Sequence, residues 1–452
     1  MKIPEPSSVS RARVGLVQSA LLLVVAIAPW PSRWDRVRGA VDSARSPEMN
    51  RAEREGHAAG YYEGLIGGKS GGSGALRGDP AHRLTGKPTG WVSFREADVV
   101  HYLDDDFLQF ELKPHLDRNL FGQPFLTNAF GMHDDPISLE KPEGTLRVAV
   151  LGSSMDMGWG VRYQETYMNK LEQWLDNYRV RHHLSNPRRF EVLNFAVAAY
   201  SPMQRLDVLR RKVMAFHPDL VIYSATTLDL RLMEIHICDM LRKRVDLKYD
   251  FISQARELAG VDADDVRLDS DGDLLNKDRL KKKLRPYYWW LYDVTLAAIA
   301  ADCRSAGVPL AMVIIPRVGR ADLPSARAEP VARLKALASR QGLTVFDLSD
   351  TFDLIDPAKL EIAAWDDHPN VVGHHRLFLA LARALVNDHE VYQLLFLPAE
   401  RPGHPGVARA QALAGKCEAG SSPGCSPVRT TARLPSLEKI VVWDQDDSLK
   451  RH

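Results

Sequence analysis

Four cysteines in 452 residues point to neither a disulfide scaffold nor a metal cluster. Cys417 and Cys425 flank a Gly/Ser/Pro segment and are spaced to close a small loop, while Cys238 and Cys303 fall in helical patterns as buried thiols. Charge of one sign is also missing. Lys and Arg number 59, Asp and Glu 58, and the net charge is +1, so no basic surface argues for nucleic acid as a partner. What is present is ordinary globular material, 45% hydrophobic and 26% charged, enough to bury a sizeable core. The length allows one large domain with additions, or two to three domains.

Long apolar stretches are represented by Val14–Ala28, which follows Lys2, Arg11 and Arg13. A basic stretch before an apolar run of this length reads as a signal peptide or a short membrane anchor. Ala26-Ile27-Ala28 offers a small-x-small cleavage site, but Pro29 directly after it disfavours cleavage. Residues 1–32 are therefore expected to serve as an anchor in preference to a cleaved signal, with the body extracytoplasmic. Residues 33–90 read as a helical pattern followed by a Gly-rich connector. Within it, Gly68–Gly72 satisfies G-x-S-x-G and Gly64–Ser70 comes one residue short of a phosphate loop. No strand precedes either, so neither can form its functional turn. Residues 91–146, with the strand-like Phe107–Leu112, read as a small β-rich ornament ahead of the main domain.

The rest of the chain is organised around Leu151–Val161, LGSSMDMGWGV. The apolar, β-branched run Arg147–Val150 is of strand type, and Gly152-Ser153-Ser154 breaks it with small residues that permit a sharp turn. A strand ending this way exposes a hydroxyl at the carboxyl edge of a sheet, where open α/β sheets place their ligands. After Ser154 helices and strands alternate. Strands are expected at Phe190–Phe195, Asp219–Ala225, Pro309–Ile315 and Leu343–Leu348, with helices at Gln164–Tyr178 and Met203–Phe216. The pattern predicts an α/β fold: a flavodoxin-like three-layer sandwich with a five-stranded parallel sheet over residues 147–390. Residues 230–286 are expected to form a mostly helical insertion, placed as a cap beside the active edge, and 391–452 an irregular tail with a short strand near Lys439–Trp443.

The Ser154 stretch resembles the nucleophile block of the SGNH/GDSL hydrolases, written GDSxTxGxGV in envelope members. Gly152, Ser154, Gly158, Gly160 and Val161 fit, and Ser153 replaces the family's Asp. Thr127–Met132 resembles the "tN.xG" lead-in of envelope SGNH proteins, with Asn128 and Gly131 read as turn residues. Asn194–Ser201 resembles the "N.GV.GYS" loop, whose second Gly donates its N–H to the oxyanion; Ala199 stands in that place. The third block departs, reading Thr226-Thr227-Leu228-Asp229 with Leu228 where the family has an oxyanion Asn. The last block, Trp365–His374, resembles "DGHPN..GH", with Asp366 in the Asp position, His368 as the base and Asp367 as the alternative orienting carboxylate. His374 and His375 read as structural.

The chemistry behind that resemblance is specific. A serine hydroxyl is a weak nucleophile until an imidazole takes its proton, and a carboxylate must hold the imidazole's tautomer. The resemblance implies Ser154, His368 and Asp366 as catalytic residues and the N–H groups of Ser154 and Ala199 as oxyanion donors. Thr226 and Thr227 are the candidates to supply the donor that Leu228 cannot. No metal or organic cofactor is implied. The expected activity is that of a serine esterase or O-acyltransferase acting on an acylated small molecule or polysaccharide. A catalytically degenerate, glycan-binding protein on the same fold is the alternative.

Three further clusters invite functional readings and have plainer ones. Asp269–Asp273 lacks the Gly and Glu spacing of a calcium loop and reads as a solvated turn. Lys281-Lys282-Lys283 reads as a solvated helix face. Tyr287–Trp290 suits sugar stacking, but such a cluster more often anchors a helix in the core.

Overall fold

The computed structural model describes residues 97–397, save 104, 121, 184–188, 271, 320–322 and 364–365. The readings made of the anchor at 14–28, the connector, the Cys417–Cys425 loop and the strand at 439–443 lie outside the described residues. No helix among those described is long and apolar enough to cross a membrane.

The lead-in holds two antiparallel hairpins: β1 (Val100–Tyr102) with β2 (Phe110–Leu112), and β3 (Asp117–Leu120) with β4 (Gln123–Leu126). Between β4 and the main sheet, Asn128 folds the chain on itself. Its Oδ1 accepts the N–H groups of Phe130 and Met132, and its Nδ2 donates to the Asp135 carbonyl.

The main sheet begins at β5 (Thr145–Leu151), two residues earlier than the sequence boundary at 147, and every residue of it is buried. After the short helix α1 (Ser154–Met157) come α2 (Tyr167–Arg181), β6 (Arg189–Asn194), α3 (Pro202–Arg211) and β7 (Leu220–Ala225). The insertion supplies α4 (Asp229–Lys243), α5 (Asp250–Leu258) and α6 (Lys277–Leu284). The chain then runs through α7 (Tyr288–Ser305), β8 (Leu310–Ile314), α8 (Pro324–Arg340) and β9 (Thr344–Asp347). A small hairpin of β10 (Glu361–Ala363) and β11 (Asp366–Pro369) leads into α9 (Val371–Asn387) and α10 (His389–Phe396). The last of these corrects the sequence reading, which placed irregular chain from 391. Asp388 caps α10 by accepting the Val391 N–H, and the helix buries Val391, Leu395 and Phe396.

Five strands form one parallel sheet in the order β6-β5-β7-β8-β9. The first strand of the sheet thus lies between the second and third, the flavodoxin-like order, and the direction of progression reverses beside β5. Helices α2 and α9 pack together on one face, and α3, α7 and α8 cover the other. Burial on both faces explains why β5 reads Val-Ala-Val-Leu rather than alternating. Each valine or leucine among them contributes about 1.5–3 kcal/mol on burial.

Charged side chains also sit inside this core. Arg147 on β5 is 0% exposed, and it pairs with Glu191 at 2.8 Å. Its remaining N–H groups donate to the carbonyls of Ser138, Leu139, Glu140 and Phe216, so the guanidinium ties the lead-in to the sheet. Removing one partner of such a buried pair typically costs about 3–5 kcal/mol.

In the insertion α4 packs on α3 and α7, and His236 and Tyr249 close on Phe107 of the lead-in. Its lysine run is not the uniformly solvated face that the sequence predicts. Lys281 is buried against Glu234 at 3.3 Å and Lys283 reaches Asp265 at 2.5 Å, leaving only Lys282 of the three as a plainly exposed residue. The Asp269 N–H donates to the Asp273 carbonyl at 2.9 Å. In the aromatic run Tyr288 is buried, Tyr287 donates to the Leu258 carbonyl and Trp289 lies under Arg333, which makes it a helix anchor. Cys238 and Cys303 are buried.

Candidate active site

Ser154 opens α1 immediately beyond the carboxyl end of β5, at the point where the strand order reverses. The turn that places it depends on Gly152. A Cβ there would meet the Asp156 carboxylate at 2.2 Å. That carboxylate accepts the Ser153 N–H at 2.8 Å and the Tyr167 hydroxyl at 2.5 Å, and the Asp156 carbonyl accepts Asn194 Nδ2 at 2.9 Å. Ser153 precedes the nucleophile, and the Asp156 carboxylate three residues on reaches back to hold its turn. Burial pushes the Asp156 carboxyl up.

His368 arrives from β11, 214 residues away, and its Nε2 lies 2.8 Å from Ser154 Oγ. The placement follows from the His-Pro-Asn sequence. Asn370 caps α9 by accepting the Val372 and Gly373 N–H groups, while its Nδ2 donates to the Lys359 and Glu361 carbonyls across the hairpin. Gly373 is required beside it, since a Cβ would come 2.7 Å from Pro369 Cβ. The helix start and the hairpin are thus locked to each other, and the histidine between them has little freedom.

Asp366 completes the arrangement. Its Oδ1 lies 2.5 Å from His368 Nδ1 and accepts the His368 backbone N–H at 3.1 Å. Its Oδ2 accepts the Trp159 indole N–H at 3.0 Å. With Nδ1–H facing the carboxylate, the Nε2 lone pair faces the serine hydroxyl, the tautomer a general base requires. Burial alone would raise the Asp366 carboxyl, but the facing His368 and its hydrogen bonds hold it below the usual carboxylate value. Burial likewise opposes charge on His368, yet the Asp366 charge and hydrogen bond carry its pKa above the ordinary histidine value. These are the electrostatics of a base poised beside a hydroxyl.

The other predicted residues fall in different places. Asp367 pairs with Arg317 at 2.8 Å. His374 is buried, accepts the Tyr167 N–H at 3.3 Å through Nδ1 and is pushed down to about 3 by burial, so it stays neutral. Ala199 follows β6, beside the strand that carries Ser154, and its φ is 65°. That left-handed backbone is the conformation a glycine would supply, adopted here by a residue with a Cβ.

The Thr226 hydroxyl accepts the Leu228 N–H at 3.1 Å and lies 3.4 Å from Asp229 Oδ1, at the turn into α4. Thr227 is half-buried at the same turn. The Leu228 side chain is buried in the hydrophobic core. Asp229 pairs with the buried Arg205 at 2.8 Å and accepts the Tyr292 hydroxyl at 2.8 Å.

Asp366, Asp367 and His368 offer ligand atoms within 4.8 Å of one another, the spacing of a metal site. Their hydrogen bonds to Ser154, Trp159 and Arg317 already account for that proximity. Two residues escaped the sequence reading: Asp156, which holds the turn before Ser154, and Trp159, enclosed between Gly158 and Gly160. The bulky indole between two glycines was the available signal.

The fold and the site define a three-layer α/β sandwich carrying a Ser–His–Asp hydrogen-bonded relay at its strand-order switch. No family model and no curated protein matches the chain. Solved structures similar to it include an acetylxylan esterase, Axe2, from Geobacillus stearothermophilus, at 15% identity over 53% of this chain and 93% of that one, TM-score 0.33. A lipase/acylhydrolase from Enterococcus faecalis aligns at 13% identity over 53% of this chain and 95% of that one, TM-score 0.31. LAE5, an alpha/beta hydrolase enzyme from the metagenome of Lake Arreo, Spain, aligns at 17% identity over 53% and 94%, TM-score 0.32.

Proposed function

We propose that the protein is a serine esterase or O-acyltransferase working through an acyl-serine intermediate. The observation that carries this reading is the relay from Ser154 Oγ to His368 Nε2 at 2.8 Å and from His368 Nδ1 to Asp366 at 2.5 Å. Ser154 Oγ attacks the ester carbonyl as its proton passes to His368 Nε2. The carbonyl oxygen becomes an oxyanion, held by the N–H groups of Ser154 and Ala199. Collapse expels the alcohol, which takes the proton from His368. Water or a sugar hydroxyl then attacks the acyl-serine, again losing its proton to His368, and Ser154 is released with its proton restored. Asp366 stays ionised throughout and stabilises the imidazolium.

The acyl group is proposed to be acetyl and the acylated compound a polysaccharide or small molecule, in keeping with the resemblance of the four blocks to envelope SGNH proteins. The basic and apolar residues before Pro29 support an extracytoplasmic placement through a retained anchor. Full-length protein is then expected to fractionate with membranes and resist carbonate extraction. A mature amino terminus at Pro29 would replace the anchor with a cleaved signal.

The test of the reading is covalent labelling by a fluorophosphonate, followed by a panel of acetyl and longer acyl esters. Wild-type protein is expected to label at Ser154 and to cleave aryl acetate. One observation favours a second reading, the apolar Leu228 in the Asn position. Absence of labelling and of cleavage of every ester would make a glycan-binding protein the better account.

A further inference from the structure

We infer that Trp159 is a positioning residue of the relay, the group that holds Asp366 to His368. The inference rests on the esterase reading for its effect on turnover but on geometry alone for its effect on the histidine.

Trp159 is 1% exposed and lies five residues after the nucleophile, 207 residues from the carboxylate it touches. Its backbone N–H donates to the Ser154 carbonyl at 3.2 Å, and its indole N–H donates to Asp366 Oδ2 at 3.0 Å. The contacts close a ring: Ser154 to His368, His368 to Asp366, Asp366 to Trp159, and Trp159 back to Ser154. The nucleophile's segment therefore reaches the base's segment at two points, once through the histidine and once through the tryptophan.

The second contact matters because of how Asp366 is otherwise held. Both the imidazole and the backbone N–H of His368 address the same oxygen, Oδ1. Those two donors sit two residues away on one strand, and neither stops the carboxylate from rotating about its own axis. The indole fixes Oδ2 and so fixes the plane. A buried carboxylate oxygen without a donor is costly, so loss of the N–H would drive the carboxylate to turn or to take up a proton. Either change weakens its hold on Nδ1–H. The imidazole then populates the Nε2–H tautomer, which offers the serine no lone pair. The ring itself is not merely filling: Trp159 and His368 are 6.1 Å apart between centroids at 53°, close enough that indole and imidazole share one wall.

Trp159→Phe removes the donor and keeps an aromatic ring. A second variant, with benzothienylalanine at 159, keeps the bicyclic shape and replaces N–H by sulfur, and it decides the matter where the phenylalanine variant does not fold. In either, kcat for aryl acetate is expected to fall about tenfold to a hundredfold, the effect of losing a hydrogen bond to a charged group, with KM near wild type. The nitrogen chemical shifts of His368 are expected to move from the Nδ1–H tautomer toward a mixture. Unchanged kcat together with an unchanged tautomer would overturn the inference. If wild-type protein neither labels nor turns over, the esterase reading fails, and the His368 tautomer in the two proteins still decides the role of Trp159.

Discussion

Among the described residues, two serine–histidine pairs have nearly equal contacts. Ser154 Oγ is 2.8 Å from His368 Nε2, and Ser201 Oγ is 2.9 Å from His236 Nδ1. What differs is the group behind the imidazole. His368 has the carboxylate of Asp366, and its pKa stands above the ordinary value. His236 has the Phe107 carbonyl at 2.9 Å, and burial pushes it down to about 4. A neutral carbonyl fixes a tautomer but gives no charge to stabilise an imidazolium, so a proton arriving from serine would be unsupported. Ser201 is further engaged as the cap of α3, accepting the Gln204 N–H. The third partner separates a relay from a strut.

The largest effect expected from this comparison is at the two pairs themselves. Ser154→Ala should lower aryl-acetate turnover by at least about 10³-fold and abolish fluorophosphonate labelling. His236→Gln should keep both, while lowering the unfolding free energy by about 1–3 kcal/mol through a disturbed buried hydrogen bond. Loss of labelling in His236→Gln with normal folding would put the second pair in the chemistry.

Next comes the carboxylate. Asp366→Asn should cost about 10³–10⁴ in kcat and remove the charge that raises His368. Activity requires neutral His368, so in wild type kcat/KM should fall as pH drops through a value above the ordinary histidine range. In the variant the surviving activity should show that acid limb at lower pH. An acid limb in the same place in both proteins would mean that Asp366 does not tune the base.

Acid stability sharpens the contrast without needing a substrate. The folded pKa of His236 is depressed to about 4, so between the unfolded value of about 6.5 and that point the unfolded chain binds the extra proton. Stability should decline as pH falls through this window. Denaturant midpoints measured across it should show a shallower slope in His236→Gln than in wild type, and equal slopes would show that the depression is not real.

The smallest effects belong to the oxyanion side. Thr226→Val leaves the Leu228 N–H without its partner and should cost about 1–3 kcal/mol of stability with kcat unchanged. A lower kcat at constant KM would return that hydroxyl to the reaction. Ala199→Gly should alter stability by less than about 1 kcal/mol, because relief of the left-handed backbone is offset by the entropy of glycine in the unfolded chain, and should keep the labelling rate.

Much of this architecture is legible in the residues alone. All five sheet strands lie within two residues of their sequence positions, because apolar runs bounded by Pro, Gly and polar turns are local signals. The blocks around Ser154 and His368 are legible for the same reason: Gly152, Asn370 and Gly373 act on neighbours within a few residues. Helix α10 escaped because eight residues beside a Pro/Gly-rich stretch make a weak pattern, though their apolar face finds a core to cover.

What the tertiary structure alone decided are contacts that no spacing announces. The Trp159 hold on Asp366 spans 207 residues, and the Ser201–His236 strut joins a cap of α3 to a helix of the insertion. Lys281 and Lys283 became buried or paired only because Glu234 and Asp265 were folded beside them. In the same way the Thr226 hydroxyl finds Leu228 and Asp229 at the turn into α4. Local sequence determines which segments become strands and which turns are sharp, since those depend on backbone sterics and on burial of one face. Whether a given polar atom does chemistry or merely satisfies a neighbour depends on what the rest of the chain brings within 3 Å of it, the hydrogen-bonding distance.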